Sequence, residues 1–268
     1  MRRAVNYATG SDANPQAPLP ASPRPHLPLA DREGRRSAKI CDTRHSPLPA
    51  ITDHLSPMLG NFLRRSPPPE PAVARVLNVG GNSREIPIPP HFDHWRHDLL
   101  DIDPRGKPDL LCDARELASQ AAACYDAVYC SHNLEHYLHH DARRVLLGFL
   151  HVLKDSGFAD IRVPDIGQLM RHCSEKNMDL DDVLYTSPAG PILVRDVLWG
   201  LGAMIVKSGN DFYAHKTGFT RQSLTRILED AGFAEVFLDN EGAAAFEIRA
   251  IAFKHAGANP YKAVLGIA

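Results

Sequence analysis

Arg75-Val76-Leu77-Asn78-Val79-Gly80-Gly81-Asn82-Ser83 decides the fold. A short, almost unbroken apolar run that ends in a glycine pair has the pattern of a strand buried on both faces, as in a parallel sheet. Glycines directly after such a strand let the backbone approach a ligand closely. A glycine pair also serves as a plain tight turn, so its neighbours must choose between the two.

Working outward, the same texture repeats. Asp98 to Ile102 is a second apolar run ending in acids, and Tyr125-Asp126-Ala127-Val128-Tyr129-Cys130 a third. Ala114 to Cys124 is alanine-rich and predicts a helix between them. Asp141 to Leu153 places Val145, Leu146, Phe149, Leu150 and Leu153 at helical spacing, with Gly157 as its stop. Phe158 to Val163 gives a further strand. Strands alternating with helices imply a doubly wound α/β sheet, mostly parallel, with helices on both faces. The segment from about 165 to 218 breaks the rhythm. It predicts a polar helix over Gln168 to Lys176 and an apolar one over Ile192 to Val206, an insertion above the sheet's active edge. Thr220 caps a helix with Leu224, Ile227 and Leu228 on its apolar face. Phe233 to Leu238 and Phe246 to Lys254 then complete the sheet as an antiparallel pair at its edge.

The ends of the chain read differently. Thirteen of the 22 prolines fall within residues 1–71, which also hold ten basic against six acidic residues, so that stretch is about +4 and the rest about −6. Proline fixes φ and removes a donor, so residues 1–71 read as a disordered tail, with one short docking helix over Ile51 to Leu63. The domain proper runs over 72–256 and a C-terminal tail over 257–268. A neutral-to-acidic core argues against a nucleic-acid platform. No stretch approaches the ~20 apolar residues that cross a bilayer. The five cysteines form no C-x-x-C pair, which points to reduced, buried thiols. The cytoplasm is the default location.

In open α/β sheets a ligand sits beyond the carboxyl ends of the strands, where their order reverses. Four loops occupy such ends. Asn78, Gly80 and Gly81 belong to the first. Asp101 stands 21 residues after Gly80, where a carboxylate can accept both hydroxyls of a ribose. Asp103 is its reserve, and a helix cap the alternative. Asp113 suits either an exocyclic amine such as adenine's or an N-cap. Ser131 and His132 open the fourth loop, Ser131-His132-Asn133-Leu134-Glu135-His136.

Taken in order, these residues resemble the S-adenosylmethionine-dependent methyltransferases of class I, and the type-11 group in particular. Val76 to Gly81 looks like the first motif of that family, Asp101 its ribose acid and Asp113 its adenine-side acid. Tyr125-Asp126-Ala127-Val128 followed by Leu134-Glu135-His136 is similar to its "fDav…vlEH" signature. Leu153-Lys154-Asp155-Ser156-Gly157-Phe158 stands in place of "LKPGG", and Gly218-Phe219-Thr220 through Gly232-Phe233 resembles the late "f…l..ll..aGF" element. The resemblance spans about residues 75–253 and implies a seven-stranded, methyltransferase-like Rossmann sheet. It implies S-adenosylmethionine on the first three loops, with Asn78, Gly80, Gly81, Asp101, Asp113 and Ser131 around it. The acceptor, a small molecule or a saccharide, approaches over the fourth loop. Two departures stand out. The usual G-x-G-x-G is reduced to Gly80-Gly81-Asn82-Ser83, and Pro87, Pro89 and Pro90 leave little room for the normal first helix.

A base near neutrality is most simply a histidine. His132 and His215 are the candidates, with Tyr213 third. His132 and His136 share a helix face if that segment is helical, and His91, His94 and His97 form a second cluster. The chain nevertheless lacks H-E-x-x-H and any completing cysteine or aspartate pattern, so no metal is expected. Three other readings compete with the transferase. One is a non-catalytic scaffold on the same fold, which the altered glycine loop and the long tail favour. Another is a metal-dependent hydrolase built on the histidines. The last is an NAD-dependent dehydrogenase, which fits less well without G-x-G-x-x-G.

Overall fold

The computed structural model describes residues 73–188, 190–239 and 246–267. The expected tail over 1–71 and the docking helix within it lie outside the described residues. Strand β1 (Arg75–Val79) runs parallel to β2 (Arg96–Asp101) and to β4 (Tyr125–Ser131), with Leu77 opposite Asp98 and Val128. The short β3 (Leu110–Leu111) flanks β2, and β5 (Leu153–Pro164) lies parallel to β4. Two later strands, β8 (Glu235–Leu238) and β9 (Glu247–Phe253), pair antiparallel, and β9 docks antiparallel on β5. The seven-stranded order is β3-β2-β1-β4-β5-β9-β8. Sequence order therefore reverses between β1 and β4, which opens a crevice at their carboxyl ends.

The two faces of the sheet are covered by different means. On one face, α1 (His139–Val152) and α5 (Arg221–Ala231) lay Val145, Leu146, Phe149, Leu224 and Leu228 against Leu77, Val128 and Ile161, all fully buried. Thr220 caps α5 by accepting from the Ser223 amide, and Gly232 closes it in the left-handed conformation. On the other face the proline-rich stretch permits only a 3₁₀ turn over Pro90–Phe92. Aromatic side chains take the place of a helix there: Phe92, Trp95 and Tyr261 pack on Phe158 at ring-centroid distances of 6.1, 6.2 and 5.4 Å. Residues 257–267, expected to be a tail, supply part of this layer. Tyr261, Leu265 and Ile267 pack against it, and the Tyr261 hydroxyl donates to Asp126 at 2.8 Å.

Three local expectations fail for identifiable reasons. Ala114 to Cys124 is a 3₁₀ turn over Ala114–Ser119 rather than a helix. Ala121, Ala122 and Ala123 are exposed, and helical propensity without tertiary packing does not meet the cost of nucleation. The apolar run from Ile192 to Val206 splits into β7 (Gly190–Leu193), α3 (Val194–Trp199) and α4 (Gly202–Ser208), and β7 pairs with β6 (Val183–Ser187). Gly200 makes the break. Its φ is +88°, and a Cβ there would stand 2.0 Å from the Tyr213 carbonyl oxygen. Finally, α1 stops at Val152 and the chain enters β5 at once, so Gly157 lies inside a strand. The polar helix appears as α2 (Ile166–Lys176), capped by Asp165.

Candidate functional site

The crevice at the switch point opens into a cavity of about 670 Å³. That volume suits a ligand of nucleoside size or larger. Gly80, Asn82, Asp101, Asp103 and Asp113 form one side; His132, Asn133 and His136 form another; Phe212, Tyr213 and Lys216 come from the segment after α4.

Backbone conformation explains the glycine turn. Gly80 has φ +72°, and its amide donates to the Leu100 carbonyl at 2.8 Å, which joins the end of β1 to β2. A Cβ at Gly80 would lie 2.1 Å from Asn133 Nδ2, and one at Gly81 would lie 2.2 Å from Asn78 Nδ2. The missing side chains thus make room for two asparagines of the protein. Asn78 is buried behind the turn and is not on the cavity wall. Gly81 and Ser131 are also outside the wall. Ser131 ends β4 in register with Arg162.

Asp101 is nearly buried, and both of its oxygens are used. One accepts the Asn82 amide at 3.0 Å and the other the Asp103 amide at 2.8 Å, so the carboxylate ties the first loop to the second. A carboxylate offers about four acceptor sites, which leaves roughly two for a ligand. Asp103 caps the next turn and pairs with Arg105. Asp113 caps the 3₁₀ turn by accepting the Arg115 amide, and Arg115 bridges it to Asp141 at 2.7 and 3.1 Å. Burial opposes the charge of Asp113, but the Arg115 hydrogen bonds hold its carboxyl below the usual range. Of the two readings open for Asp113, the cap is realised.

The expected bases behave unlike bases. His132 has φ +48° and bonds Glu247 through Nε2 at 2.8 Å, with Nδ1 3.5 Å from Glu135. Burial works against its charge, but the two carboxylates win and raise its pKa to about 10. Near neutrality it is an imidazolium and cannot accept a proton. His215 shifts the opposite way, lowered first by burial, and its Nδ1 contacts the Val197 carbonyl at 2.9 Å. A neutral imidazole suits a base, yet His215 is not among the residues lining the cavity. Tyr213, the third candidate, does line it.

Behind this wall Glu135 is 1% exposed. The amides of Lys216 and Thr217 donate to its carbonyl at 2.8 and 3.2 Å, which fastens the segment after α4 to the turn after β4. Neither side-chain oxygen of Glu135 has a hydrogen-bond partner. His136 contacts backbone carbonyls through both ring nitrogens, Ala214 at Nδ1 and His132 at Nε2, each at 3.1 Å, as expected of a structural histidine. His91, His94 and His97 do not gather: His91 instead faces Asp160 at 3.3 Å on β5. Asn82, Asn133, Phe212 and Lys216 line the cavity without having been assigned a role from sequence. Asn82 and Asn133 flank residues that were chosen; nothing local marked Phe212 or Lys216.

No protein-family model matches the chain, and no curated protein does. Solved structures do. A "possible exported protein" from Bordetella parapertussis is 15% identical with a TM-score of 0.41, over 69% of this chain and 63% of its own length. This chain therefore spans under two thirds of that protein. A SAM-dependent methyltransferase from Archaeoglobus fulgidus is 17% identical with a TM-score of 0.41, over 68% of this chain and 86% of its own. The 1,6-didemethyltoxoflavin-N1-methyltransferase of Burkholderia thailandensis, solved with bound 1,6-didemethyltoxoflavin and S-adenosylhomocysteine, is 17% identical with a TM-score of 0.40, over 69% of this chain and 72% of its own.

Proposed function

We propose that this chain is an S-adenosylmethionine-dependent methyltransferase acting on a small-molecule or saccharide acceptor. One observation carries the reading. The glycine turn after β1 and the acid after β2 meet at the switch point, linked by the Asn82 amide on Asp101, in the order in which that family uses them. The residues fit such a cofactor: Gly80 and Asn82 present backbone, and Asp101 retains acceptor capacity for a ribose. Asp113, paired with Arg115, is less free to meet an adenine.

The cofactor supplies an activated methyl group, so the protein's task is binding and alignment. His132 turns Nε2 to Glu247 and Nδ1 toward Glu135, so it brings positive charge to the cavity wall without a free N–H for the acceptor. Phe212 and Tyr213 give a hydroxyl-bearing acceptor apolar faces to pack on, and Lys216 with Asp211 gives it polar ends. No general base is assigned, since many acceptors lose their proton to solvent after transfer.

A scaffold without transfer activity is the second reading. It is favoured by the way Asp101, Asp103 and Asp113 are each already engaged within the protein. Calorimetric titration of S-adenosylmethionine and S-adenosylhomocysteine into wild type and Asp101→Ala tests both. Binding that weakens roughly ten- to hundredfold in the variant supports the transferase. No binding to the folded wild type overturns it, and binding without transfer across a broad acceptor panel favours the scaffold.

A further inference from the structure

We propose that Glu135, His136 and His215 form a binding site for one divalent transition-metal ion of the zinc class, with His136 on the cavity wall and the other two residues behind it, independent of the cofactor reading above. The starting point is an accounting problem. A buried carboxylate normally has every lone pair met by donors, and leaving one unmet carries a desolvation cost. Glu135 is 1% exposed, and neither carboxylate oxygen has a hydrogen-bond partner. Two imidazoles stand beside it. One ligand atom each from Glu135, His136 and His215 lie within 4.8 Å of one another, and among the described residues this is the one such trio.

The second shell fits as well. Metal-bound histidines almost always donate their other ring N–H to a carbonyl or carboxylate, which fixes the tautomer and aims the ligating nitrogen. His215 does this: Nδ1 meets the Val197 carbonyl at 2.9 Å, and Nε2 points toward Glu135 Oε1 at 4.0 Å. His136 has a carbonyl at each nitrogen, but a neutral imidazole carries one N–H, so one of those contacts has no proton to share. That nitrogen would give up its carbonyl contact on binding a metal. His132 also balances the charge of Glu135, with Nδ1 at 3.5 Å and Nε2 on Glu247 at 2.8 Å, so a bound ion takes over that pairing and displaces a proton.

The donor set selects the metal. Two imidazoles and one carboxylate match the ligands of zinc sites and of related first-row ions. Calcium and magnesium ask for more oxygen ligands than one carboxylate gives. A bound ion joins the turn after β4 to residues 214–217, adding a third fastening to the two amides that already reach the Glu135 carbonyl.

The test uses the full chain, stripped with a chelator and titrated with Co²⁺ and with Zn²⁺. Thermal unfolding of each variant reports whether it folds. The expected result is one equivalent of Co²⁺ per chain, with the visible absorption of a nitrogen- and oxygen-ligated site, displaced by Zn²⁺. Glu135→Gln and His215→Asn should each weaken it at least about a hundredfold, more than loss of a second-shell contact does. His140→Ala, far more exposed, should leave it unchanged. Should Glu135→Gln fail to fold, His215→Asn decides alone. The proposal is overturned if folded wild type binds less than one equivalent, or if stoichiometric binding survives unchanged in His215→Asn.

Discussion

Asp101 and Glu135 are both acids at the carboxyl ends of β2 and β4, the strands on either side of β1, both withdrawn from solvent, and they are treated in opposite ways. Asp101 receives a backbone amide on each oxygen, from Asn82 and Asp103. Glu135 receives none. The first region was completed by its own loop backbone. The second has been assembled from distant parts of the chain, and its carboxylate meets only imidazoles, His132 at 3.5 Å and His215 at 4.0 Å. A carboxylate satisfied by amides is a rigid fixture whose removal disturbs the loops. A buried carboxylate that faces only imidazoles has its charge balanced while its lone pairs lack donors.

Substitutions that treat the two regions alike make the contrast measurable. The largest effect belongs to Gly80→Ala. The left-handed φ and the collision with Asn133 should together cost about 2–4 kcal/mol in chemical denaturation, with loss of nucleoside binding. Asp101→Ala comes next, since two loop amides lose their acceptor, and the fall in stability should be about 1.5–3 kcal/mol. If Asp101→Ala is neutral, the idea that this acid fastens the loops is wrong.

Asp113→Asn should cost less. Arg115 is well exposed, so solvent screens the pair, and the loss at neutral pH should stay at or below about 1 kcal/mol. Its sign with pH is fixed. The folded carboxyl titrates below its ordinary value, so its contribution is present above that value and lost as pH falls through the folded one. Wild-type and variant stabilities should therefore converge in acid and separate above about pH 4; a constant gap would place the effect in the cap. The smallest change is expected for Glu135→Gln in metal-free protein, under about 1 kcal/mol, because relief from burying the carboxylate offsets the loss of its 3.5 Å pairing with His132, which keeps Glu247. A loss as large as that of Asp101→Ala would erase the contrast.

What the sequence made legible follows from range. The strand over 75–79, its glycine turn and the spacing to Asp101 are local, and each lies where the pattern placed it. The α5 cap and the Gly232 stop were equally readable. The character of His132 was not, because it depends on Glu247, 115 residues further on. Nor was the meeting of Glu135 and His136 with His215, which exists only once the segment after α4 folds back. The alanine-rich stretch after Asp113 misled for a related reason: propensity was present, but no surface awaited it.

The aromatic layer on the second face has a consequence for how the chain is made. A helix there would follow β1 directly and cover its strands early in synthesis. Here Trp95 and Phe158 receive Tyr261, which follows β9 in the sequence. Until that residue has left the ribosome, a set of large rings that belong inside faces water on a nascent sheet. Exposed apolar surface of this kind attracts chaperones and promotes association between partly made chains. Yield in a cell should therefore depend on the last dozen residues far more than their place outside the crevice suggests.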